Sequence, residues 1–273
     1  MKKGFSLVEL LVVITIIVLL LALLSPALDQ AVYQAELATC SARLRALGVA
    51  VTGYAIDFQR SYPYRSAVVA GAGRRPDEIN LYFPPDQGNH GDDRPVIRDY
   101  IDINGLLQCP LTRKVDLVNT EPATQVYSSY SLWYSWGWRQ APVRHKAMRR
   151  LGDWFEWDDI NDPNDLPSRF TVLAADMDTA QNYSQASHPD KTGRTAAWTV
   201  QDELVAPYMY TFSLWYLGGS PNRGPIDRDF VFQDGSVERY TDLQPFSDDR
   251  LVTVPGRCNT SGWVAKRTWL PRS

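Results

Sequence analysis

The sequence predicts an α+β protein in which one long N-terminal helix packs on an antiparallel β-sheet domain. Three observations support this. The chain of 273 residues opens with an almost unbroken apolar run and continues as an amphipathic segment of helical period. It then changes to short alternating segments separated by loops rich in Gly, Pro and Asp. A helix followed by a run of strands is typical of the α+β class.

Composition limits the function classes. Apolar residues make up 44% of the chain and aromatic residues 12%, which is enough for one folded domain beyond the opening segment. The formal net charge is -3, and no block of Lys and Arg follows the apolar run. Nucleic acid is therefore not an expected partner. We predict one membrane element that carries one water-exposed domain.

The apolar run from Phe5 to Leu24 is long enough to cross a bilayer as a helix. About 20 residues at about 1.5 Å each span roughly 30 Å, the thickness of the hydrocarbon core. Lys2 and Lys3 precede the run and the next basic residue is Arg43. The positive-inside rule therefore predicts a single pass through the cytoplasmic membrane, with a short cytoplasmic N-terminus and a periplasmic or extracellular C-terminal domain.

A cleaved secretory signal is the alternative for this segment. Such a signal has an apolar core of about 7 to 15 residues followed by a small-residue cleavage site, and "LLSPALDQA" would have to supply that site. The apolar run of this chain is longer than such a core. A retained anchor over residues 5–25 is therefore favoured.

One carboxylate, that of Glu9, interrupts the start of the apolar run. A carboxylate at the bilayer centre costs about 2.5 to 3.5 kcal/mol on insertion scales, so Glu9 would need a cation as partner. Alternatively, Glu9 lies at headgroup depth and is solvated. The residues alone leave both interpretations open.

The residues around Glu9 resemble the N-terminus of type IV prepilins and type II secretion pseudopilins. Gly4 and Phe5 are followed by a polar residue, two apolar residues, Glu9 and the apolar helix. The resemblance implies that prepilin peptidase cleaves between Gly4 and Phe5, removes the leader 1–4 and N-methylates Phe5. It also implies that Glu9 pairs with the amine of a neighbouring subunit and sets the register of a filament. Other pilin or pseudopilin subunits and the inner-membrane assembly machinery are then the further partners.

Residues 26–60 are predicted to continue the same helix, so that it runs from about Phe5 to Phe58. Pro26 lies where apolar sequence gives way to amphipathic sequence, and it is expected to kink or loosen the axis. "RSYPYR" ends the helix, because the residue before Pro63 is disfavoured in helical conformation. An apolar stripe at spacings of seven, three, four, three and four is expected to pack on the globular domain: Leu37, Leu44, Leu47, Val51, Tyr54 and Phe58.

Residues 61–273 are predicted to form the β-rich domain. "VYSSYSLWYSWGW" alternates aromatic and polar residues as a strand with two useful faces, and "RFTVLAAD" is typical of a central strand. "YMYTFSLWYLGG" is a further candidate strand. "DFVFQDGSVERY" is the clearest hairpin, with Asp234 and Gly235 supplying the tight turn. The last thirty residues give no clear prediction.

Five segments of this domain and helix resemble, in order, a group of pilin-like proteins common in planctomycetes and related bacteria. They are "CSARLRALGVAVTGYAIDF", "LLQCPLTRK", "SSYSLWY", "FTVLAADM" and "FVFQDGSVE". Proteins of that group usually carry a His ten residues before the Asp-Gly of the last hairpin, where this chain has Gly224. No role of that histidine is therefore transferred to this chain.

The cysteines are Cys40, Cys109 and Cys258. An oxidising compartment favours a disulfide, and the odd count leaves one thiol over. Because Cys40 and Cys109 both lie in the segments that carry the resemblance, they are the expected pair, which would join the sheet domain to the helix. Zinc is not expected, because no Cys-x-x-Cys or paired Cys/His spacing is present. We predict no metal and no cofactor.

No enzymatic motif is present in the sequence. His90, His145 and His188 are scattered, and there is no Gly-x-Ser-x-Gly, His-Glu-x-x-His or glycine-rich phosphate loop. His188 is expected to be a loop residue. "DDINDPND", residues 158–165, lacks the glycine and terminal glutamate of an EF-hand, so a solvated loop is favoured over a calcium site. We predict a protein that is not an enzyme.

The sequence thus predicts a structural subunit of a type IV pilus-like filament or of a type II secretion pseudopilus. The alternative is a membrane-anchored binding module that does not polymerise and presents a Trp-rich surface to a glycan or another ligand. Trp133, Trp136 and Trp138 would form that surface, although such residues more often pack a core or a subunit contact. The sequence does not distinguish a pilus from a secretion piston or a DNA-uptake fibre.

Overall fold

The structure is a computed structural model. It describes residues 7–63, 80–83, 91–92, 94–101, 106–107, 109–112, 126–127, 129–135, 145–146, 148–157, 168–176, 178–180, 184–186, 188–189, 191, 215–216, 224–244, 248–258 and 264–271. The helices are α1 (Leu7–Asp57) and α2 (Arg94–Ile97). The strands are β1 (Asn80–Phe83), β2 (Gly91–Asp92), β3 (Val126–Tyr127), β4 (Tyr130–Leu132), β5 (His145–Lys146), β6 (Phe155–Trp157), β7 (Ser168–Phe170), β8 (Val172–Asp176), β9 (Asp178–Ala180), β10 (Ser184–Ala186), β11 (Trp215–Tyr216), β12 (Ile226–Phe232), β13 (Val237–Leu243), β14 (Leu251–Cys258) and β15 (Val264–Pro271).

The first half of α1 is an exposed apolar helix. α1 is 51 residues long and continues through Pro26 without a break. From Leu7 to Leu28 the large apolar side chains are exposed, by 79% at Leu7 and by 64% at Leu28. The hydroxyl of Thr15 donates to the carbonyl of Val12 at 2.8 Å, which satisfies it within the helix. By length and composition, α1 is a helix able to cross a membrane.

The second half of α1 packs on the domain, as the apolar stripe predicts. Four of the predicted positions are buried, and Cys40, Gly48, Ala50 and Ala55 are buried beside them. The exception is Phe58, which is 49% exposed and stacks on the half-buried Tyr54 with ring centroids 4.2 Å apart. The helix ends at Asp57, before Pro63 can act, because Gln59 and Arg60 adopt left-handed backbone conformations with φ of 53° and 66°.

A four-stranded antiparallel sheet in the order β13-β12-β8-β4 receives this helix. α1 contacts β12, β8 and β13. Phe230 of β12 pairs with Ala175 of β8, which pairs in turn with Ser131 of β4. β8 is buried along its whole length, as expected for a central strand. The predicted α+β class, with a long N-terminal helix on an antiparallel sheet, is confirmed.

The β12–β13 hairpin turns at Asp234 and Gly235, as predicted. Gly235 has a φ of 82°, and its N–H donates to the carbonyl of Phe232 at 3.0 Å. The carboxylate of Asp234 accepts from the N–H of Ser236 at 2.9 Å and from its hydroxyl at 2.6 Å. These contacts close the turn locally.

The aromatic segment at 126–138 differs from its prediction as one strand. β3 and β4 are separate strands in different sheets, and a turn with Ser135 at a φ of 51° follows β4. Its two faces are not distinct either, because Tyr130 to Tyr134 are all buried. The cause is burial under the rest of the core: the ring of Trp133 lies 5.7 Å from that of Phe155. Trp136 and Trp138 lie outside the described residues.

The described residues form three further antiparallel sheets. Their orders are β2-β1-β3, β5-β6-β7 and β11-β10-β9-β15-β14. The β14–β15 hairpin accounts for most of the C-terminal segment that the sequence leaves without a prediction, with Leu251 paired to Pro271. Of the candidate strand "YMYTFSLWYLGG", the described part is β11.

Candidate functional site

The first candidate site is the start of α1. Glu9 lies in the first turn of the described helix, and its neighbours on the helix are exposed apolar side chains. Gly4 and Phe5, where cleavage and methylation are predicted, lie outside the described residues. This half of α1 therefore presents an apolar surface, with one carboxylate near its end, to lipid or to other helices.

A polar network attaches the second half of α1 to the sheet. The guanidinium of Arg239 on β13 donates to the Asp229 carboxylate at 2.8 Å and to the main-chain carbonyl of Leu37 in α1 at 2.8 Å. The hydroxyl of Ser41 donates to Asp229 at 2.5 Å. Burial raises the pKa of the Asp229 carboxyl, although the hydrogen bond from Arg239 opposes this. Helix and sheet are thus joined by charge-assisted hydrogen bonds as well as by apolar packing.

A second polar contact lies one turn earlier on the helix. The hydroxyl of Tyr33 donates to the Asp227 carboxylate at 3.1 Å, and the ammonium of Lys191 lies 2.7 Å from that same carboxylate. Burial, followed by the charge of Asp227, raises the pKa of Tyr33 well above its ordinary value. The hydroxyl of Tyr33 therefore stays protonated and remains a donor.

The second candidate site is a buried cluster of Cys40, Cys109, Asp176 and His188, which we call the buried cluster. Cys40 comes from α1, Asp176 ends β8, and the other two come from the segments 109–112 and 188–189. One potential ligand atom from each residue lies within 4.8 Å of all the others. None of the four residues is more than 1% exposed.

Local structure positions the two loop residues of the buried cluster. The carbonyl of Cys109 accepts from the N–H of Thr112 at 3.1 Å and from its hydroxyl at 2.6 Å, which closes a turn around the cysteine. The segment of His188 is held to the start of β12 by a hydrogen bond from the N–H of Lys191 to the carbonyl of Pro225 at 2.9 Å. Main-chain hydrogen bonds therefore fix both segments.

The contacts within the buried cluster are short. The thiol of Cys40 donates to Oδ1 of Asp176 at 3.0 Å, and the hydroxyl oxygen of Tyr130 lies 3.4 Å from the same sulfur. Nε2 of His188 lies 3.3 Å from Oδ2 of Asp176 and 3.5 Å from Sγ of Cys40. Imidazole, carboxylate and thiol therefore converge on one point.

Groups outside the buried cluster orient its members. Nδ1 of His188 lies 2.7 Å from the carbonyl oxygen of Asp227, so Nδ1 carries a proton and donates it there, and Nε2 faces the cluster. The N–H of Asp229 donates to Oδ2 of Asp176 at 2.7 Å. Nε of the buried Arg228 donates to the main-chain carbonyl of Asp176 at 2.8 Å.

The pKa values of the four residues in the buried cluster shift in different directions. Burial opposes ionisation of Asp176, but the charge of His188 and the hydrogen bonds from His188, Cys40 and the N–H of Asp229 together outweigh it and lower the pKa of the carboxyl. Burial likewise disfavours the His188 cation, while Asp176 and Cys109 raise its pKa well above the ordinary value. Burial raises the pKa of Cys40. For Cys109 burial acts in the same direction, yet the hydrogen bond with Cys40 and the charge of His188 lower its pKa to about 6.

Two expectations concern these residues. Cys40 and Cys109 are neighbours, as the expected disulfide requires; both are free thiols in the structure, with Cys40 hydrogen-bonded to Asp176, and the disulfide stays a prediction. His188 lies in a loop, as expected, but it is 1% exposed and sits among three other polar groups. The sequence has no paired Cys/His spacing, yet the fold brings two cysteines, an aspartate and a histidine together.

Asp176 belongs to the buried cluster and Tyr130 contacts it, and the sequence analysis predicts neither as a site residue. The sequence does contain an indication for Asp176, because a carboxylate at the end of the buried run "VLAAD" must find a partner inside the protein. Other sequence candidates stay untested. His90 and residues 158–165 lie outside the described residues, and so do the side chains of His145 and Cys258.

The structure is that of an α+β protein of pilin-like architecture, and its exposed apolar N-terminal helix indicates membrane anchoring. Residues 1–25 match the family model described as the prokaryotic N-terminal methylation motif. This motif indicates a prepilin-type substrate of prepilin peptidase. Neither the curated proteins nor the solved structures gave a match to the chain.

Proposed function

We propose that the protein is a non-enzymatic structural subunit of a type IV pilus-like filament or of a type II secretion pseudopilus. It enters the cytoplasmic membrane as a prepilin, is cleaved between Gly4 and Phe5, is N-methylated at Phe5 and assembles through α1. The observation that carries the proposal is the exposed apolar half of α1, most of which lies within the methylation motif at residues 1–25.

The presence of Glu9 favours a filament helix over a simple membrane anchor. A lipid anchor gains nothing from a carboxylate in its first turn, because the charge is costly in hydrocarbon. After cleavage, the cationic amine of Phe5 in a neighbouring subunit could pair with the Glu9 carboxylate. Helix association in lipid has little hydrophobic drive, so a polar contact of this kind would fix the axial register of the subunits.

The attachment of the second half of α1 to the sheet supports a structural role in a filament. Arg239 and Ser41 connect the helix to the sheet, and Leu44 and Leu47 are completely buried between them. When the apolar halves pack in a filament core, the domain would follow its helix as one unit. Placement of the domain on the filament surface would then be set by the helix.

The proposed topology places the N-terminus in the cytoplasm and the domain in the periplasm or outside the cell. Lys2 and Lys3 are the basis for this orientation. The inner-membrane assembly machinery and other subunits are the proposed partners besides the peptidase. The burial of the cluster supports a structural role over a catalytic one, because no substrate could reach groups exposed by 1% or less.

The test combines processing and assembly in membranes of a host that carries prepilin peptidase. Mass spectrometry of the mature protein is expected to give N-methyl-Phe5 as the first residue. Cysteine substitutions such as Ile16→Cys in the apolar half are expected to give a ladder of crosslinked oligomers. An intact Met1, or cleavage near Ala27, together with strict monomers, would overturn the proposal.

Glu9→Gln provides the specific variant, and Glu36→Gln on the same helix is its matched control. Glu9→Gln is expected to keep membrane insertion and lose the ladder, because the neutral amide cannot pair with the cationic amine. Glu36→Gln is expected to keep both, since Glu36 lies beyond the apolar half. Processed monomers in every variant and in the native chain would favour the non-polymerising binding module instead. Trp133 offers that alternative no platform, because its side chain is completely buried.

A further inference from the structure

We propose that the buried cluster is a structural zinc site in which Cys40, Cys109, Asp176 and His188 bind one Zn²⁺ ion in tetrahedral geometry. The four ligand atoms are Sγ of both cysteines, a carboxylate oxygen and Nε2 of the histidine. The inference does not depend on filament assembly.

The distances fit the edges of a zinc tetrahedron. Zinc bonds of about 2.3 Å to sulfur and about 2.0 to 2.2 Å to nitrogen and oxygen give edges of about 3.5 Å for S–N and about 3.4 Å for N–O. The corresponding distances are 3.5 Å between Sγ of Cys40 and Nε2 of His188, and 3.3 Å between Nε2 and Oδ2 of Asp176. All four atoms lie within 4.8 Å of one another, and a tetrahedral S–S edge of about 3.8 Å fits inside that limit.

The groups around the ligands are those that a metal site requires. A zinc-bound histidine usually donates its other ring N–H to a carbonyl or carboxylate, and Nδ1 of His188 donates to the Asp227 carbonyl at 2.7 Å. A zinc-bound carboxylate is usually hydrogen-bonded as well, and Asp176 accepts from the N–H of Asp229 at 2.7 Å. Both ligands are thus oriented before any ion arrives.

The charge and the donor set select the metal. Two thiolates, one carboxylate and a neutral imidazole carry three negative charges, of which Zn²⁺ compensates two. Nε of the buried Arg228, which donates to the main-chain carbonyl of Asp176, places a positive charge beside the remainder. Two sulfur ligands, one nitrogen and one oxygen favour zinc over calcium or magnesium, which require oxygen ligands.

Binding involves no redox step. The two thiol protons, and the Nε2 proton where His188 is cationic, leave to water as four coordinate bonds to zinc form. The Cys40 thiol, which donates to Asp176 in the structure, would exchange that hydrogen bond for the bond to zinc. The ion would join α1 to the end of β8 and to two loop segments that lie far apart in sequence. That is the role of a structural site with all four positions closed to solvent.

Metal content of the full chain tests the proposal. The protein is purified in detergent with a mild reductant and without chelator. We expect one zinc per chain by elemental analysis and native mass spectrometry, and protection of two thiols from alkylation until a chelator is added. After zinc removal, Co²⁺ is expected to give the visible ligand-field bands and the thiolate charge-transfer band of a tetrahedral site.

Variants with matched controls locate the site. Cys109→Ser and Asp176→Asn are expected to weaken Co²⁺ binding by at least about tenfold. Cys258→Ser and His145→Ala change the same residue types outside the buried cluster and are expected to bind as the native chain does. Loss of binding in these controls with retention in Cys109→Ser would overturn the assignment.

Measurements on the native chain alone also test the zinc site, so the test does not depend on whether the variants fold. A mass lower by two hydrogen atoms, with no Co²⁺ spectrum before reduction or after it, would show a disulfide in place of metal binding and overturn the zinc site. Free thiols that bind neither zinc nor Co²⁺ would overturn it equally. Zinc bound to monomeric, unassembled protein would support the site even if the filament proposal failed.

Discussion

At the scale of single residues, three consecutive charged side chains are buried inside the sheet. Asp227, Arg228 and Asp229 on β12 are each at most 2% exposed. Burying such groups is costly unless each is paired or hydrogen-bonded. Asp227 contacts Lys191, Arg228 donates to the Asp176 carbonyl, and Asp229 accepts from Arg239. The strand therefore depends on partners from distant parts of the chain.

Alanine substitutions at two glycines of α1 are expected to change the stability of the domain in opposite directions. A Cβ added at Gly48 would lie 2.7 Å from Cγ2 of Val231, whereas at Gly53 the nearest atom is Cδ1 of Tyr100 at 3.8 Å. Gly48→Ala is expected to destabilise the domain by up to about 2 kcal/mol, because overpacking costs about 1 to 3 kcal/mol against a gain in helix propensity of about 1 kcal/mol. Gly53→Ala keeps only the gain and is expected to stabilise by up to about 1 kcal/mol.

Urea denaturation of both variants in the same detergent, followed by tryptophan fluorescence, measures this difference. The slope of the transition is expected to stay unchanged, so that the midpoints report the free energies of unfolding. Equal shifts for Gly48→Ala and Gly53→Ala would contradict the close approach of α1 to β12.

At the scale of secondary-structure elements, α1 changes character along its length. Its first half exposes nearly every side chain, and its second half is fixed to β12 and β13 by burial and by the guanidinium of Arg239. Pro26 lies in the exposed half and does not end the helix, because a long apolar helix can continue past one missing hydrogen bond.

Removal of the Arg239 guanidinium tests the attachment of the helix. Arg239→Gln leaves the fully buried carboxylate of Asp229 without its ion pair and is expected to destabilise the domain by about 3 kcal/mol. The matched control is Arg98→Gln, whose pair with Asp99 is exposed at both ends and 3.8 Å long, with an expected effect below about 0.5 kcal/mol. Urea midpoints measure both.

A second substitution distinguishes the loss of the ion pair from a general loss of packing. Asp229→Asn combined with Arg239→Gln removes the buried charge and is expected to recover part of the stability lost in Arg239→Gln alone. A double variant as unstable as the sum of the single variants would argue against a specific ion pair.

At the scale of the whole molecule, the first half of α1 has no buried positions among the described residues, and its second half packs on the domain. Buried positions of α1 begin at Leu37, after the half-buried Tyr33. In a membrane or micelle the first half keeps all its backbone hydrogen bonds within itself and needs no sheet to remain helical. The two halves are therefore expected to differ in stability.

Thermal unfolding in detergent tests this difference. Far-ultraviolet circular dichroism is expected to retain about half of the α1 signal after the near-ultraviolet signal of the domain is lost, because residues 7–32 stay helical in the micelle. Loss of all helical signal in the same transition as the near-ultraviolet signal would show that α1 depends on the domain along its full length.

Local sequence patterns were enough to predict most of the helix and the hairpin. The buried stripe at Leu37, Leu44, Leu47 and Val51 follows from 3.6-residue spacing, and the turn at Asp234 follows from local φ requirements. The single strand predicted over 126–138 was wrong, because its register depends on which neighbours cover it. Local alternation carries no information on those neighbours.

By itself the sequence determined the N-terminal methylation motif, the long helix, the α+β class and the Asp-Gly turn, since each depends on residues close together in the chain. Only the tertiary structure decided the buried cluster. Cys40 and His188 lie 148 positions apart, yet their ligand atoms are 3.5 Å from each other. Folding makes that contact, because α1, β8 and two loops bury their polar groups at one point, and no linear spacing encodes it.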